Sequence, residues 1–284
     1  MMSTPGVNEM LVGATGSGKT YALRTLLDAG LEVFVLATEP GISASLGDTP
    51  SDRLHWHYIA PGSPGLEAMM DSANKINTMS LKSLSQLTDI NKRKYHQFYD
   101  ALSTLNNFKC DRTGKEYGSI ETWGPDRVIV VDSLSGLNLM AMDLVVGSKP
   151  IKSPGDWGIA MDSLERLIVM LCTATRCHFV LTAHLERAHD EMTGGTKLLP
   201  STLGAKLGPK VPRFFDDVIQ CIYDTDGKWI WATQTLNVDT KARNLPYALK
   251  LPPSFVPVIE SWKKKGGVIQ PQPQETETAT EAVT

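Results

Sequence analysis

Residues 13–20 read Gly-Ala-Thr-Gly-Ser-Gly-Lys-Thr, a complete G-x-x-x-x-G-K-[ST] run. Glycines at this spacing let the backbone curl until successive N–H groups point into one concavity, a shape suited to phosphate oxygens. Such a loop works only with a strand before it and a helix after it, so that the positive end of the helix faces the anion. Both neighbours are expected here: an apolar strand at 10–12 and a helix at 21–29 stopped by Gly30. Gly13, Ala14, Thr15, Gly16, Ser17 and Gly18 then form the cradle. Lys19 reaches the β- and γ-phosphates, and the Thr20 hydroxyl coordinates Mg2+. Residues 127–132, Arg-Val-Ile-Val-Val-Asp, supply a second half: an apolar strand ending in a carboxylate, Asp132, that holds the same Mg2+ through its water shell.

Around these motifs, short Val/Ile-rich runs alternate with helical patterns. Strands are expected at 10–12, 32–37, 54–59, 127–132 and 178–182. Several are near-continuous apolar runs, as in parallel sheets covered on both faces, so the fold class is α/β with a mostly parallel central sheet. Beyond Phe215 come strand patterns at 218–223, 228–234 and 247–251. The first two are joined by Asp224-Thr225-Asp226-Gly227, which reads as a C-terminal antiparallel extension. Residues 63–124 interrupt the alternation as a helical, turn-rich insertion with a basic cluster at Lys92, Arg93 and Lys94. The core is expected over 1–262. Residues 263–284, rich in Gln, Pro, Glu and Thr, are expected to be a disordered acidic tail.

The 284 residues carry a net charge of −3, so any nucleic-acid surface must be local. No apolar run reaches the roughly 18 residues needed to span a bilayer. The first eight residues lack the layout of a secretory signal, so a cytoplasmic location is expected. The four cysteines, Cys110, Cys172, Cys177 and Cys221, read as buried free thiols and not as a zinc site.

The order of elements resembles the RecA-type P-loop ATPase core. A strand after the phosphate-loop helix ends at Glu39, another ends at Asp132-Ser133, and a third ends in Thr182-Ala183-His184. Strand 32–37 is expected to lie near the phosphate-loop strand. The resemblance implies that Glu39 activates the attacking water and that His184, where the family commonly has glutamine, senses the γ-phosphate. It implies two DNA-facing loops: 145–158 with Lys149 and Lys152, and 186–208 with Lys197 and Lys206, followed by Lys210 and Arg213. From 192 to 215 there are four basic residues and no acidic one, which suits a single-strand phosphate backbone. Lys241 and Arg243 match the pair that such ATPases place against a neighbour's γ-phosphate.

In its narrowest form the chain is similar to phage-encoded, core-only RecA-like single-strand annealing proteins, through Leu181-Thr182-Ala183-His184 and Pro-Arg-Phe-Phe-Asp-Asp at 212–217. The implied function is ATP-dependent single-stranded DNA binding for recombination or annealing, with Mg2+ as cofactor. The implied assembly is a ring or filament of copies, with the tail available to a single-stranded-DNA-binding protein. If phage-encoded, it would act in the bacterial host cytoplasm. The alternatives are a ring-shaped helicase or translocase on the same core, a small-molecule phosphotransferase, and a nucleotide-gated scaffold with negligible hydrolysis.

Overall fold

The structure is a computed structural model that describes residues 4–60, 62, 65–87, 95–147, 149–189 and 194–271. The basic cluster at 92–94, Met192 and Thr193, and the tail from 272 onward lie outside the described residues.

In chain order the strands are β1 (Asn8–Val12), β2 (Glu32–Ala37), β3 (Leu54–Tyr58), β4 (Arg127–Asp132), β5 (His178–Ala183), β6 (Leu185–His189), β7 (Thr196–Pro200), β8 (Asp217–Tyr223) and β9 (Trp229–Ala232). Seven of them form one sheet in the order β3-β2-β4-β5-β1-β8-β9. Every pairing in it is parallel except β8 with β9. β6 and β7 make a separate antiparallel pair.

Alternate residues of the central strands go to opposite layers, as a period of two demands. Met10, Phe34, Ile129, Phe179 and Leu181 face one layer, built on α6 (Gln97–Asn106), α7 (Leu134–Val146) and α8 (Pro154–Thr173). Leu11, Val33, Val35, Val130 and Val180 face the other, which includes residues of α1 (Lys19–Ala22), α2 (Thr25–Asp28), α3 (Ile42–Leu46) and α10 (Val256–Lys264). Each such side chain, fully buried, contributes about 1.5–3 kcal/mol. α8 begins with Pro154 after Ser153, whose hydroxyl accepts from the Asp156 N–H while the Asp156 carboxylate accepts from the Ser153 N–H. The remaining helices are α4 (Leu66–Thr78), α5 (Leu81–Ser85) and α9 (Gly204–Leu207). No helix among the described residues is long and apolar enough to cross a membrane.

The mostly parallel sheet agrees with the expected fold class; several local expectations need correction. The helix after the phosphate loop starts at Lys19, not 21, and is interrupted between α1 and α2. Residues 247–251 form no strand: only Leu251 bridges to Trp231. The antiparallel pairing of β8 with β9 is as expected, but β8 also joins the main sheet beside β1 in parallel. Strand β2 is not beside β1; β5 and β4 stand between them. The stretch 186–208 is largely the β6–β7 hairpin and α9 rather than a loop. In 145–158, α7 extends through Val146 and α8 starts at Pro154, so both ends of the stretch are helical. The expected tail boundary at 263 falls inside α10, and Ile269 packs on the core beyond it.

Candidate active site

β1 delivers the chain into the phosphate loop at the carboxyl edge of the sheet. Gly16 and Gly18 take φ of 77° and 84°, conformations only glycine adopts cheaply, and these produce the curl. Lys19 is buried. Its Nζ donates to the Gly13 and Ala14 carbonyls, at 2.9 Å each, folding the side chain across the loop. Burial pulls its pKa below the ordinary lysine value, opposed by the nearby Cys221, Asp132 and Glu39. Ser17 Oγ donates to the Ala14 carbonyl, at 2.7 Å.

Asp132, at the end of β4, comes to this loop because only β5 separates β4 from β1. Thr20 Oγ1 donates to its Oδ2 at 2.7 Å, and Thr182 of β5 donates to its Oδ1. A hydroxyl and a carboxylate already in contact are hard oxygen donors of the kind Mg2+ takes, and that ion keeps most of its own waters. The pair Thr20 and Asp132 therefore fits Mg2+. Among the described residues no cluster of three or more His, Cys, Asp or Glu could hold another metal.

Glu39 follows β2 and reaches the same edge. Its Oε1 accepts from Ser133 Oγ at 2.6 Å, and its Oε2 lies 3.5 Å from His184 Nε2. Thr38 ties this corner down: its hydroxyl donates to the Ser133 carbonyl at 2.7 Å and accepts from the Ser133 N–H at 2.9 Å. Glu39 is thus brought to Asp132 through β4, although β2 is remote from β1. His184 stands between β5 and β6, and its carbonyl accepts from the Ser201 N–H at 2.8 Å, closing the root of the β6–β7 hairpin. Glu39, Ser133, His184 and the hairpin are therefore in one continuous run of contacts.

The basic residues are placed less uniformly. Lys149 pairs with Asp156 at 2.8 Å, Lys197 with Asp239 at 2.7 Å, and Lys210 with Glu165 at 3.1 Å. Asp239 and Glu165, remote in sequence, offset part of the positive charge counted along 192–215. Lys152 lies over the Trp157 ring, while Lys206 and Arg213 are exposed. Lys241 Nζ donates to the Phe215 carbonyl, and Arg243 pairs with Asp216 at 3.0 Å. Both positions flank β8 toward its amino end, whereas the phosphate loop is at the carboxyl end of β1.

Sequence reasoning did not single out Ser133 as the partner of Glu39, or Thr182 as a partner of Asp132; both adjoin residues it did name. Trp229 carried no signal at all. Its indole N–H donates to the Gly16 carbonyl at 3.0 Å across 213 positions of sequence. Beside it an open cavity of about 550 Å3 is lined by Ala14, Ser17, Leu185, Leu198, Tyr223 and Trp229, among others.

Among solved structures, the chain is similar to the crystal structure of the RadB recombinase, at 13% identity over 87% of this chain and 86% of that one, with a TM-score of 0.36. No curated protein matches the sequence. A family model described as the AAA domain matches residues 6–244. That span takes in the whole central sheet together with Lys19, Thr20, Glu39, Asp132 and His184, and the chain belongs to the AAA domain family as an ATPase of the P-loop class.

Proposed function

We propose that the chain is an ATP-dependent single-stranded DNA-binding protein acting in recombination or single-strand annealing, with ATP bound and hydrolysed where two copies meet. The observation that carries this reading is the run from Glu39 through His184 into the β6–β7 hairpin. It gives the γ-phosphate end of the site a physical path to a surface element.

In this reading the loop N–H groups and Lys19 hold the β- and γ-phosphates. Thr20 and Asp132 hold Mg2+, which when bound neutralises phosphate charge. Glu39, steadied by Ser133, accepts a proton from the water that attacks the γ-phosphorus. His184 lies against the other Glu39 oxygen, so loss of the γ-phosphate is felt one residue from Leu185. Lys197, Lys206, Lys210 and Arg213 are the candidate strand contacts on and after the hairpin, with Lys149 and Lys152 on the neighbouring loop. Three of these lysines must exchange an internal carboxylate for a DNA phosphate, which makes binding weaker, and its salt dependence shallower, than the count of charges implies. Arg243, at the other end of the sheet from its own phosphate loop, is suited to serve the γ-phosphate of a second copy, with Lys241 beside it.

The test is a titration of labelled single-stranded oligonucleotide with an ATP analogue, with ADP and with no nucleotide. Differential affinity is the physical requirement of such a switch. The expected outcome is tightest binding with the analogue, and a Glu39→Gln variant that binds ATP, fails to hydrolyse it and stays on DNA. Equal affinity in all three states would defeat the reading.

A further inference from the structure

We propose that Trp229 is a positioning residue for phosphoryl transfer, clamping the phosphate loop from outside. The inference rests on Lys19 and the loop being the phosphate site. It goes further by assigning the loop's geometry to a side chain of the β8–β9 hairpin.

Three contacts converge on this one indole. Its N–H donates to the Gly16 carbonyl. Its ring covers Gly18 so closely that a Cβ there would sit 2.8, 2.9 and 3.1 Å from three ring atoms. It also packs on Tyr21, with centroids 4.8 Å apart. Gly16 and Gly18 are the two positive-φ positions that aim the loop's N–H groups inward. A peptide plane turns as a unit, so holding the Gly16 carbonyl outward also fixes the following Ser17 N–H, which donates to the Ala14 carbonyl at 3.3 Å and closes the curl of the loop.

The loop needs this outside support because its helix offers little. α1 has four residues, its N-cap Gly18 brings no side-chain hydrogen bond, and the chain departs from the helix before α2 resumes. A Cβ on Gly16 would meet nothing within 4 Å, so no packed side chain backs the loop there. Trp229 itself is 37% exposed, unlike Trp231 at 1%, so it contributes little to the core and much to the loop. It stands opposite Tyr223 in the hairpin register and lines the same cavity as Leu185 and Leu198 of the β6–β7 hairpin. The clamp therefore joins the phosphate loop to a structure that also faces the hairpin following His184.

The experiment uses the full chain with Trp229→Phe, which keeps an aromatic ring and loses the N–H, with Trp229→Ala, which loses both, and with Lys19→Ala. ATP hydrolysis, thermal melting and intrinsic fluorescence on adding ADP are measured for each. Loss of one neutral hydrogen bond is expected to raise KM for ATP about fivefold in Trp229→Phe, with kcat lowered less and the melting temperature little changed. Trp229→Ala is expected to lose more than tenfold in kcat/KM. The fluorescence change on adding ADP is expected to be present in the wild type and absent from both Trp229 variants. Wild-type kcat and KM in both, or a fluorescence change that survives in both, overturns the clamp. If Trp229→Ala melts far lower, Trp229→Phe decides alone. Should Lys19→Ala hydrolyse ATP normally, the phosphate-site reading itself falls, which distinguishes that failure from failure of the clamp.

Discussion

His178 lies fully buried at the start of β5, and its protonation should set the acid limit of the fold. The Val7 N–H donates to its Nδ1 at 3.0 Å, and its Nε2 lies 3.1 Å from the Pro125 carbonyl. The ring is therefore neutral, with its proton on Nε2. A second proton would have to go on Nδ1, facing another N–H. Burial lowers the pKa from 6.5 to about 4. Between those values the unfolded chain binds the proton and the folded chain does not, so stability is complete above pH 6.5 and falls as the pH drops toward 4. At 1.36 kcal/mol per unit, the cost is about 2 kcal/mol by pH 5 and about 3 kcal/mol by pH 4. Out of a total of roughly 5–15 kcal/mol, that is a large share.

The perturbation is His178→Gln, whose amide can accept from Val7 and donate to Pro125 without titrating. Urea unfolding of both proteins at pH 7.5, 6.5, 5.5 and 5.0 gives two stability profiles. At pH 7.5 the variant should be the less stable, because a well-fitted ring has been replaced. That gap should narrow by about 2 kcal/mol on reaching pH 5. Other titrating groups contribute equally to both profiles and cancel in the difference. A gap constant to within about 0.5 kcal/mol would refute the assignment of a buried neutral imidazole.

Two further outcomes test other parts of the structure. Glu9 is buried against Asp217 with its Oε2 unpartnered, and burial first, then the Asp217 charge, raises its pKa well above the usual value. Its neutral form is favoured in the fold, so stability should decline as pH rises above 4.5, opposite to His178; Glu9→Gln should flatten that decline in the same urea profiles. A Cβ on Gly136 would lie 2.2–2.6 Å from Thr38, whose hydroxyl holds Ser133. Gly136→Ala should therefore cost about 1–3 kcal/mol in unfolding free energy and also lower kcat, since displacing Thr38 moves Glu39.

The phosphate loop was legible because it is a short local motif, and Asp132 because an apolar strand ending in a carboxylate gains meaning once that loop precedes it. The parallel strands were legible because burial on both faces writes continuous apolar runs such as Val128–Val131. The limits of that reading lie in contacts that sequence distance hides. Nothing near Lys197 or Lys210 announces that Asp239 and Glu165 will pair with them. The β6–β7 hairpin looked like a loop because Gly194 and Gly195 stand just before β7 and its strands are only partly buried. The position of β2 was misjudged because adjacency in sequence says little about sheet order. Glu39 arrives at the site by way of Ser133, which follows the Asp132 strand, not by way of β1.

The handover from β5 to β6 allows almost no slack: a single residue, His184, separates them, and the Ser201 N–H pins its carbonyl. In the proposed switch such a joint would transmit in both directions. If gripping the hairpin alters the nucleotide's affinity by some factor, the nucleotide must alter the grip by the same factor. A ligand on the outer surface would thereby act as a governor of the nucleotide site as well as a subject of it.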